Sequence, residues 1–134
     1  MIVVLGPTAT GKTHFAAFLA NALDREIISA DSRQVYRRMT IGSGKDYDDY
    51  VINGKVVPYH LVDIVEPGYE YNIFEYKRDF LKAYKDVLCR GKNVILCGGS
   101  GLYLESVMAN YRLDEVPFNH SLRNSLCKKS DDEL

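Results

Sequence analysis

The chain has 134 residues, of which 46% are hydrophobic and 26% charged, and these values are ordinary for one globular domain. The formal net charge of −1 excludes a global basic field for nucleic acid, so an RNA partner would need a local patch or a part of the protein outside this chain.

Three cysteines without paired spacing (Cys89, Cys97, Cys127) favour a reducing, cytoplasmic compartment over a disulfide scaffold or a zinc site, and we expect Cys97 to be a small core residue. The start of the chain lacks the basic region of a signal peptide, and no apolar run approaches the roughly 20 residues that span a membrane.

The strongest motif lies at the start of the chain, after an apolar run at residues 2–5 that predicts a buried parallel strand. Residues 6–13, GPTATGKT, fit the G-x-x-x-x-G-K-[ST] pattern of a phosphate-binding loop. The glycines let backbone N–H groups curl around anionic oxygens, Lys12 adds positive charge, and the Thr13 hydroxyl is placed to bind Mg²⁺. The motif predicts binding of a phosphate chain without saying which one, and the alternative is a chance glycine-rich turn. The predicted phosphate-binding residues are Gly6, Thr8, Ala9, Thr10, Gly11, Lys12 and Thr13.

The spacing of the apolar residues predicts alternating strands and helices in the first half of the chain. Residues 12–23 repeat apolar side chains at helical spacing, and residues 26–30 form a second short apolar strand. Residues 35–39 indicate a helical turn, which leads into a glycine-rich loop at residues 40–45 that we expect to be mobile. Residues 50–57 predict a hairpin, because their Asn-Gly pair suits a two-residue type I′ turn.

The second half contains the longest predicted helix, at residues 72–90, with an Asn-x-x-Glu capping box at its start and a glycine after its end. A strand candidate at residues 61–64 precedes this helix. A third strand of the parallel type, at residues 92–97, follows it and leads into a helix at residues 102–110. Residues 120–134 are typical of a weakly anchored helix.

The order strand, helix, strand, helix, strand, helix predicts an α/β fold with a parallel sheet flanked by helices. We expect residues 1–110 to form this core and residues 111–134 to form a polar tail. Ligands of such sheets bind in the crevice outside the carboxyl ends of the strands. The turns that follow the strands are therefore the candidate site.

Two polar clusters follow predicted parallel strands. Asp31, with Ser32 and Gln34, follows the second strand, and its carboxylate suits a general base or a Mg²⁺ ligand; a helix-capping aspartate is the alternative. Residues 98–101, GGSG, follow the third strand, where the glycines allow close approach to a ligand and Ser100 supplies a hydroxyl. A plain turn with Ser100 as the N-cap of a helix fits the same spacing.

Other polar residues have less distinctive contexts. His60 is interpreted as a structural hydrogen-bonding residue rather than a catalytic one. The ten tyrosines are interpreted as packing residues rather than platforms for stacked bases. A basic cluster near the crevice suits either phosphate contacts or a solvated face, and it consists of Arg33, Arg37, Arg38 and Lys45.

Four segments in fixed order, over most of residues 2–107, resemble the tRNA dimethylallyltransferases, also called tRNA isopentenyltransferases. They are GPTATGKT, ISADSRQVYRRMTIGSGK, PYHLVDI and RGKNVILCGGSGLYLESV. The resemblance implies a core like that of P-loop NTPases. It also implies transfer of a dimethylallyl group from dimethylallyl diphosphate to the exocyclic amine of an adenine beside the tRNA anticodon. The partners implied are this donor and a tRNA anticodon loop, without a membrane.

The resemblance also implies roles for individual residues. The phosphate-binding loop, with Mg²⁺ on Thr13, would hold the departing diphosphate, and Asp31 would be the general base. The implied catalytic residues are Asp31, Lys12 and Ser100, of which Ser100 stands where the family usually has threonine. A weaker match at residues 116–126 resembles the segment that leads into the family's RNA-binding domain. The residues implied to contact adenine or tRNA are Asp31, Ser32, Arg33, Gln34, Ser100 and Arg123.

Some features depart from the family pattern. Tyr59-His60 replaces a pair of histidines, and residues 40–45 vary from the usual loop. The sequence stops before the family's inserted helical tRNA-binding domain, which indicates either a fragment or a shortened relative. Three alternative functions stay open: an adenine-nucleotide isopentenyltransferase of the cytokinin type, which shares these motifs, a small P-loop kinase on the same fold, and a non-catalytic diphosphate-binding remnant. The sequence leaves the oligomeric state open.

Overall fold

A computed structural model describes residues 1–109, 111, 119–130 and 133 of the chain. The strands are β1 (Ile2–Leu5), β2 (Arg25–Ala30), β3 (Val51–Ile52), β4 (Lys55–Val56), β5 (Tyr59–His60) and β6 (Asn93–Gly98). The helices are α1 (Lys12–Ala22), α2 (Ile73–Cys89), α3 (Gly101–Met108) and α4 (His120–Leu126), with a 3₁₀ turn at Asp48–Tyr50. Among the described residues, none of the helices combines the length and apolar character needed to cross a bilayer.

A four-stranded parallel sheet, in the order β1, β6, β2, β5, lies at the centre of the fold. Successive side chains of a strand point to opposite faces, and Ile27 and Ile28 accordingly belong to two different apolar clusters. Ile28 packs with residues of α2 and α3 such as Tyr76, whereas Ile27 packs with Ala16 of α1. Helices therefore cover both faces, and the prediction of an α/β fold with a flanked parallel sheet is confirmed.

Local sequence signals account for most element boundaries. The capping box of α2 is present, because the Glu75 amide donates to the Asn72 side chain at 3.0 Å and the Glu75 carboxylate accepts from the Asn72 amide at 3.1 Å. Gly91 follows α2 with a φ of 74°. Asn53 and Gly54, with φ values of 52° and 75°, form the turn that pairs β3 with β4. The predicted hairpin is confirmed.

Two local predictions were wrong for the same reason. Residues 35–39 form turns and a single bridge between Tyr36 and Val65 instead of a helical turn. Residues 61–64 are not a strand, since Leu61 has a φ of 61° and the sheet pairing ends at His60. The two segments pair irregularly, with the Ile64 and Val65 amides both donating to the Val35 carbonyl. This tertiary pairing overrides the local preference of each segment.

The remaining differences concern the loop at 40–45 and the tail. The loop, which we expected to be mobile, is tied to the core by the buried side chains of Ser43 and Lys45. Helix α4, within the predicted tail, has no buried residue. Asn110 and residues 112–118 lie outside the described residues, so the division at residue 110 stays a prediction.

A buried carboxylate joins three elements at the amino end of the sheet. Glu26 of β2 forms a two-point ion pair with Arg90, which follows α2, and one of these contacts measures 2.9 Å. Its Oε2 also lies 2.7 Å from Nε2 of His60 on β5. The hydrogen bonds of Arg90, followed by that of His60, lower the pKa of the Glu26 carboxyl. The expected structural hydrogen bond of His60 is therefore present.

The closest backbone contact in the sheet lies at its carboxyl end. A Cβ atom on Gly98 would lie 2.2 Å from the carbonyl oxygen of Ala30 and 2.8 Å from its Cα. Gly98 is paired with Ala30 in the register of β6 and β2. Only glycine fits at this position. The approach at Gly98 is that of the neighbouring strand, whereas we expected the glycines of the GGSG segment to allow close approach to a ligand.

We expect Gly98→Ala to lower the free energy of unfolding by about 2–3 kcal/mol, because the methyl group would collide with backbone that cannot rotate away. Urea denaturation measures this change. Gly101→Ala is the matched control, since nothing lies within 4 Å of its Cβ position at the start of α3. It should leave stability unchanged or raise it by up to about 1 kcal/mol. Equal stabilities for the two variants would contradict the contact.

Candidate functional site

The loop between β1 and α1 has the backbone of an anion-binding nest. Ala9 and Gly11 adopt left-handed conformations, with φ values of 62° and 76°, and such residues occur in the nests whose amides bind anions. Gly11 occupies the N-cap position of α1 and has no side chain to cap the helix, so the first amides of α1 are available to an anion. The loop is closed internally, because the Thr10 hydroxyl and the Lys12 ammonium both donate to the Pro7 carbonyl, at 2.9 and 2.5 Å.

The turns that follow β2 and β6 are hydrogen-bonded to each other. The Ser100 amide donates to the Ala30 carbonyl at 3.1 Å, and the Ser32 amide donates to the Ser100 hydroxyl oxygen at 2.9 Å. The Ser100 hydroxyl donates in turn to that of Ser32 at 3.1 Å. Ser100 occupies the N-cap position of α3 but its side chain does not cap the helix. Its hydroxyl instead positions the turn that carries Asp31.

Asp31 and Gln34 are held by the same turn. The Asp31 carboxylate accepts from the Arg33 amide at 2.9 Å, which stabilises a turn rather than a helix end. The Gln34 side chain is 6% exposed; its carbonyl oxygen accepts from the Ser29 hydroxyl at 3.3 Å and its amide donates to the Gly44 carbonyl at 3.1 Å. The side-chain amide of Gln34 is therefore fixed in orientation.

A cleft of about 120 Å³ brings the loop and the turn together. It is lined by Thr8, Ala9, Thr10, Gly11, Lys12 and Thr13 from the loop and by Asp31 and Gln34 from the turn. Gly6 does not line the cleft, and its carbonyl oxygen lies 3.2 Å from a Cβ position on Gly99. Ser32 and Ser100 support the turn without lining the cleft, and Arg123 lies on α4.

The cleft also contains residues that were not predicted from the sequence to belong to a ligand site. Asp49 and Tyr50, from the 3₁₀ turn, face the loop, and Cys97 of β6 forms part of the floor. Burial, with a smaller effect of Asp46, raises the pKa of the Asp49 carboxyl. The acidic run DYDDY at residues 46–50 was the available signal.

The predicted basic cluster divides into paired and unpaired members. Arg37 and Arg38 both bind the Glu66 carboxylate, at 3.2 and 2.5 Å, and the buried Lys45 ammonium donates to Asp63 at 2.6 Å. These three side chains join loops rather than face the cleft. Arg33 forms no ion pair with any residue in the part of the chain that the structure describes.

The oxygen atoms of the cleft fit a Mg²⁺ ion only if a bound ligand supplies further oxygens to it. Within the described residues, no group of three or more histidine, cysteine or acidic side chains is placed to hold a metal. The cleft does offer the Thr13 hydroxyl and the Asp31 and Asp49 carboxylates. Mg²⁺ prefers such oxygen donors and usually keeps several waters and substrate phosphate oxygens in its shell.

The fold and the cleft define the class of protein: an α/β protein whose candidate ligand site combines an anion-binding loop with polar turns at the carboxyl ends of its parallel strands. The IPP transferase family model matches residues 34–134. The chain belongs to the IPP transferase family.

Curated relatives match the whole chain. It is 63% identical to tRNA dimethylallyltransferase 2 of Phocaeicola vulgatus and 60% identical to tRNA dimethylallyltransferase 1 of Parabacteroides distasonis, over 134 residues in each case. These alignments cover 100% of this chain and 44% of each relative. The chain thus spans less than half the length of the curated relatives it matches.

Solved structures share the fold. A full-length tRNA isopentenylpyrophosphate transferase from Bacillus halodurans matches 93% of this chain and 40% of its own, with a TM-score of 0.78 and 33% identity. A eukaryotic dimethylallyltransferase studied acting on tRNA matches 98% of this chain and 33% of its own, with a TM-score of 0.76 and 25% identity.

We expect Cys97 to react more slowly with iodoacetamide than Cys89 in the native protein. Burial raises the pKa of the Cys97 thiol to about 11, so little thiolate is present near pH 8, whereas Cys89 is exposed. Peptide mass spectrometry after timed alkylation measures both rates, and the rate at Cys97 should rise as the pH approaches 11. Unfolding in urea should remove the difference; equal native rates would contradict the burial of Cys97.

Proposed function

We propose that the protein transfers a dimethylallyl group from dimethylallyl diphosphate to the exocyclic amine of an adenine beside the anticodon of tRNA. The observation that carries the proposal is the cleft in which the anion-binding loop meets Asp31 and Gln34. Family membership and the activities named for the relatives support the choice of reaction. A tRNA-modifying role is consistent with a cytoplasmic location.

The loop binds the diphosphate of the donor in this proposal. The amides of Gly11 and the first turn of α1 meet the phosphate oxygens, and the Lys12 ammonium exchanges the Pro7 carbonyl for a phosphate oxygen. Mg²⁺ bound by the Thr13 hydroxyl would neutralise charge on the diphosphate. The bond between the allylic carbon and the diphosphate oxygen breaks with its electron pair on the diphosphate, so stabilising that anion lowers the barrier.

Asp31 and Gln34 receive the acceptor adenine. The adenine amine attacks the allylic carbon through its nitrogen, and the Asp31 carboxylate takes the proton that this nitrogen loses. Gln34 keeps one unused N–H and one unused lone pair beside its contacts to Gly44 and Ser29, which is enough to bind one edge of a base. Ser100 and Ser32 support the reaction by positioning the Asp31 turn.

The remaining contacts with tRNA would come from basic side chains and from sequence beyond the core. We assign Arg33 and Arg123 to the RNA backbone. Arg123 lies on α4, in the tail at residues 111–134 that would connect the core at residues 1–110 to RNA-binding parts of the full-length protein.

Acceptor preference tests the proposal. The full-length protein should prenylate an anticodon stem-loop RNA in preference to AMP or ATP, as measured by mass spectrometry of the products. Preference for AMP or ATP would indicate an adenine-nucleotide isopentenyltransferase instead. ATP turnover without use of dimethylallyl diphosphate would indicate a kinase, and diphosphate binding without transfer would indicate a binding remnant.

We expect Asp31→Asn to lower the rate of transfer at least about 100-fold, because the amide cannot accept the adenine proton. The substitution keeps the oxygen that accepts from the Arg33 amide, so donor affinity should stay unchanged. Single-turnover kinetics and calorimetry with diphosphate measure the two quantities. Asp24→Asn changes an exposed carboxylate beyond the opposite end of β2 and is the matched control. Full activity of Asp31→Asn would exclude Asp31 as the base.

We expect Lys12→Met to weaken diphosphate binding about tenfold and to slow transfer roughly 100-fold, since the ammonium stabilises the leaving group more than the bound donor. Methionine retains much of the apolar stem that packs near Gly6. Lys85→Met, on the exposed face of α2, removes the same charge elsewhere. If Lys12→Met and Lys85→Met have the same affinity for diphosphate and the same rate of transfer, the loop is not the donor site.

A further inference from the structure

A second cavity adjoins the cleft and is not used by the proposed reaction. Its volume is about 520 Å³, within the usual range for ligand sites. Ser43 borders both spaces, so the loop around residue 43 is the wall between them. The side chains that give the second cavity its character are Arg33, Met39, Ile41 and Tyr69. We call this space the flanking cavity.

Neighbouring residues of the Asp31 turn line the cleft and the flanking cavity. Asp31 and Gln34 line the cleft, while Arg33, which lies between them in the sequence, lines the flanking cavity. A polynucleotide whose adenine enters the cleft continues through its phosphates to a neighbouring nucleotide. That neighbour needs space beside the turn, and the flanking cavity provides it.

The walls of the flanking cavity suit an unpaired base. Ile41 is 97% exposed, and Met39 and Tyr69 are about half exposed, so apolar surface faces the open space. The Tyr69 ring is held in place by a 2.5 Å hydrogen bond from its hydroxyl to Glu75, which is itself fixed in the capping box of α2. Bases of single-stranded RNA stack on aromatic side chains of this kind.

The positive charge of Arg33 also favours a nucleotide as the ligand of the flanking cavity. Among the described residues, Arg33 lacks the carboxylate partner that Arg37 and Arg38 find in Glu66. Arg33 lines the flanking cavity and lies two residues from Asp31, so its guanidinium can meet the phosphate that joins two nucleotides. Apolar side chains together with the Arg33 cation match a base and its linking phosphate.

We propose that the flanking cavity binds the nucleotide next to the acceptor adenine, with its base on Tyr69 and its linking phosphate at Arg33. The proposal rests on the proposed function, since it takes the adenine in the cleft as given. It makes the core domain itself selective for RNA over free adenine nucleotides.

Competition binding to the full-length protein tests the cavity. A fluorescent anticodon stem-loop is displaced by AMP or by dinucleotides that carry a neighbour on the 5′ or the 3′ side of adenosine. In the wild type, one dinucleotide should compete at least about tenfold better than AMP, the gain expected from one stacked base. Tyr69→Leu should abolish that advantage, while Tyr69→Phe, which keeps the ring and loses only the bond to Glu75, should retain most of it.

Salt dependence separates the phosphate contact from the stacking contact. Arg33→Gln should lower the slope of log affinity against log salt for the stem-loop by about 0.7, the value for one phosphate contact of a single strand. Arg78→Gln, on the exposed surface of α2, should leave the slope unchanged.

Equal competition by AMP and both dinucleotides in the wild type would overturn the proposal, as would an undiminished dinucleotide advantage in Tyr69→Leu. Failure of the proposed function has a different signature. In that case the wild type would transfer no dimethylallyl group to the stem-loop, whatever the competition assay gives. Transfer by the wild type, together with Tyr69→Leu that binds the stem-loop equally well, would refute the flanking cavity alone.

Discussion

Strands β2 and β6 approach each other at their carboxyl ends so closely that the backbone of Ala30 occupies the place of a side chain on residue 98. This contact fixes the distance between the two turns that follow. The Ser100 amide reaches the Ala30 carbonyl, and the Ser100 hydroxyl reaches Ser32. The position of Asp31 relative to the loop is therefore set by strand register, which is among the least deformable features of a sheet. In the proposed reaction, this support would hold the Asp31 carboxylate in place beside the adenine amine.

The loop at residues 40–45 is positioned by charge instead. The Lys45 ammonium is buried and donates to the Tyr36 carbonyl and to Asp63, whose other oxygen accepts from the Tyr47 hydroxyl at 2.5 Å. Contact with Asp63 is also the main reason that the pKa of Tyr47 rises to about 12. A buried ion pair contributes little net stability but strongly disfavours arrangements that leave one charge unpaired. The wall between the cleft and the flanking cavity thus has one preferred position.

Elements with strong local signals were predictable from the sequence, and those formed by long-range pairing were not. The spacing of apolar residues predicts strands β1, β2 and β6 and helices α1, α2 and α3, and a capping box marks the start of α2. The Asn-Gly pair predicts the hairpin. Residues 35–39 and 61–64 were misread because each satisfies its backbone groups on the other. The loop and Asp31 belong to a recognisable motif, whereas Asp49 and Cys97 reach the same cleft from distant segments without characteristic spacing. The flanking cavity was not predictable either, since its walls come from residues 33–43 and 68–70.

The Glu26 carboxylate, at the amino end of the sheet, makes the stability of the fold depend on pH. Because Arg90 and His60 lower the pKa of Glu26 on folding, its ionised form stabilises the native state fully above its ordinary value of 4.5. That stabilisation is lost as the pH falls through the lowered value, when the carboxyl takes up a proton. Strand β5 is the edge of the sheet and has only two paired residues, so the bond between His60 and Glu26 is a large part of its attachment. A pH below 4.5 would accordingly weaken the attachment of β5, and with it the segment at residues 63–65, whose Asp63 amide donates to the Gln34 carbonyl.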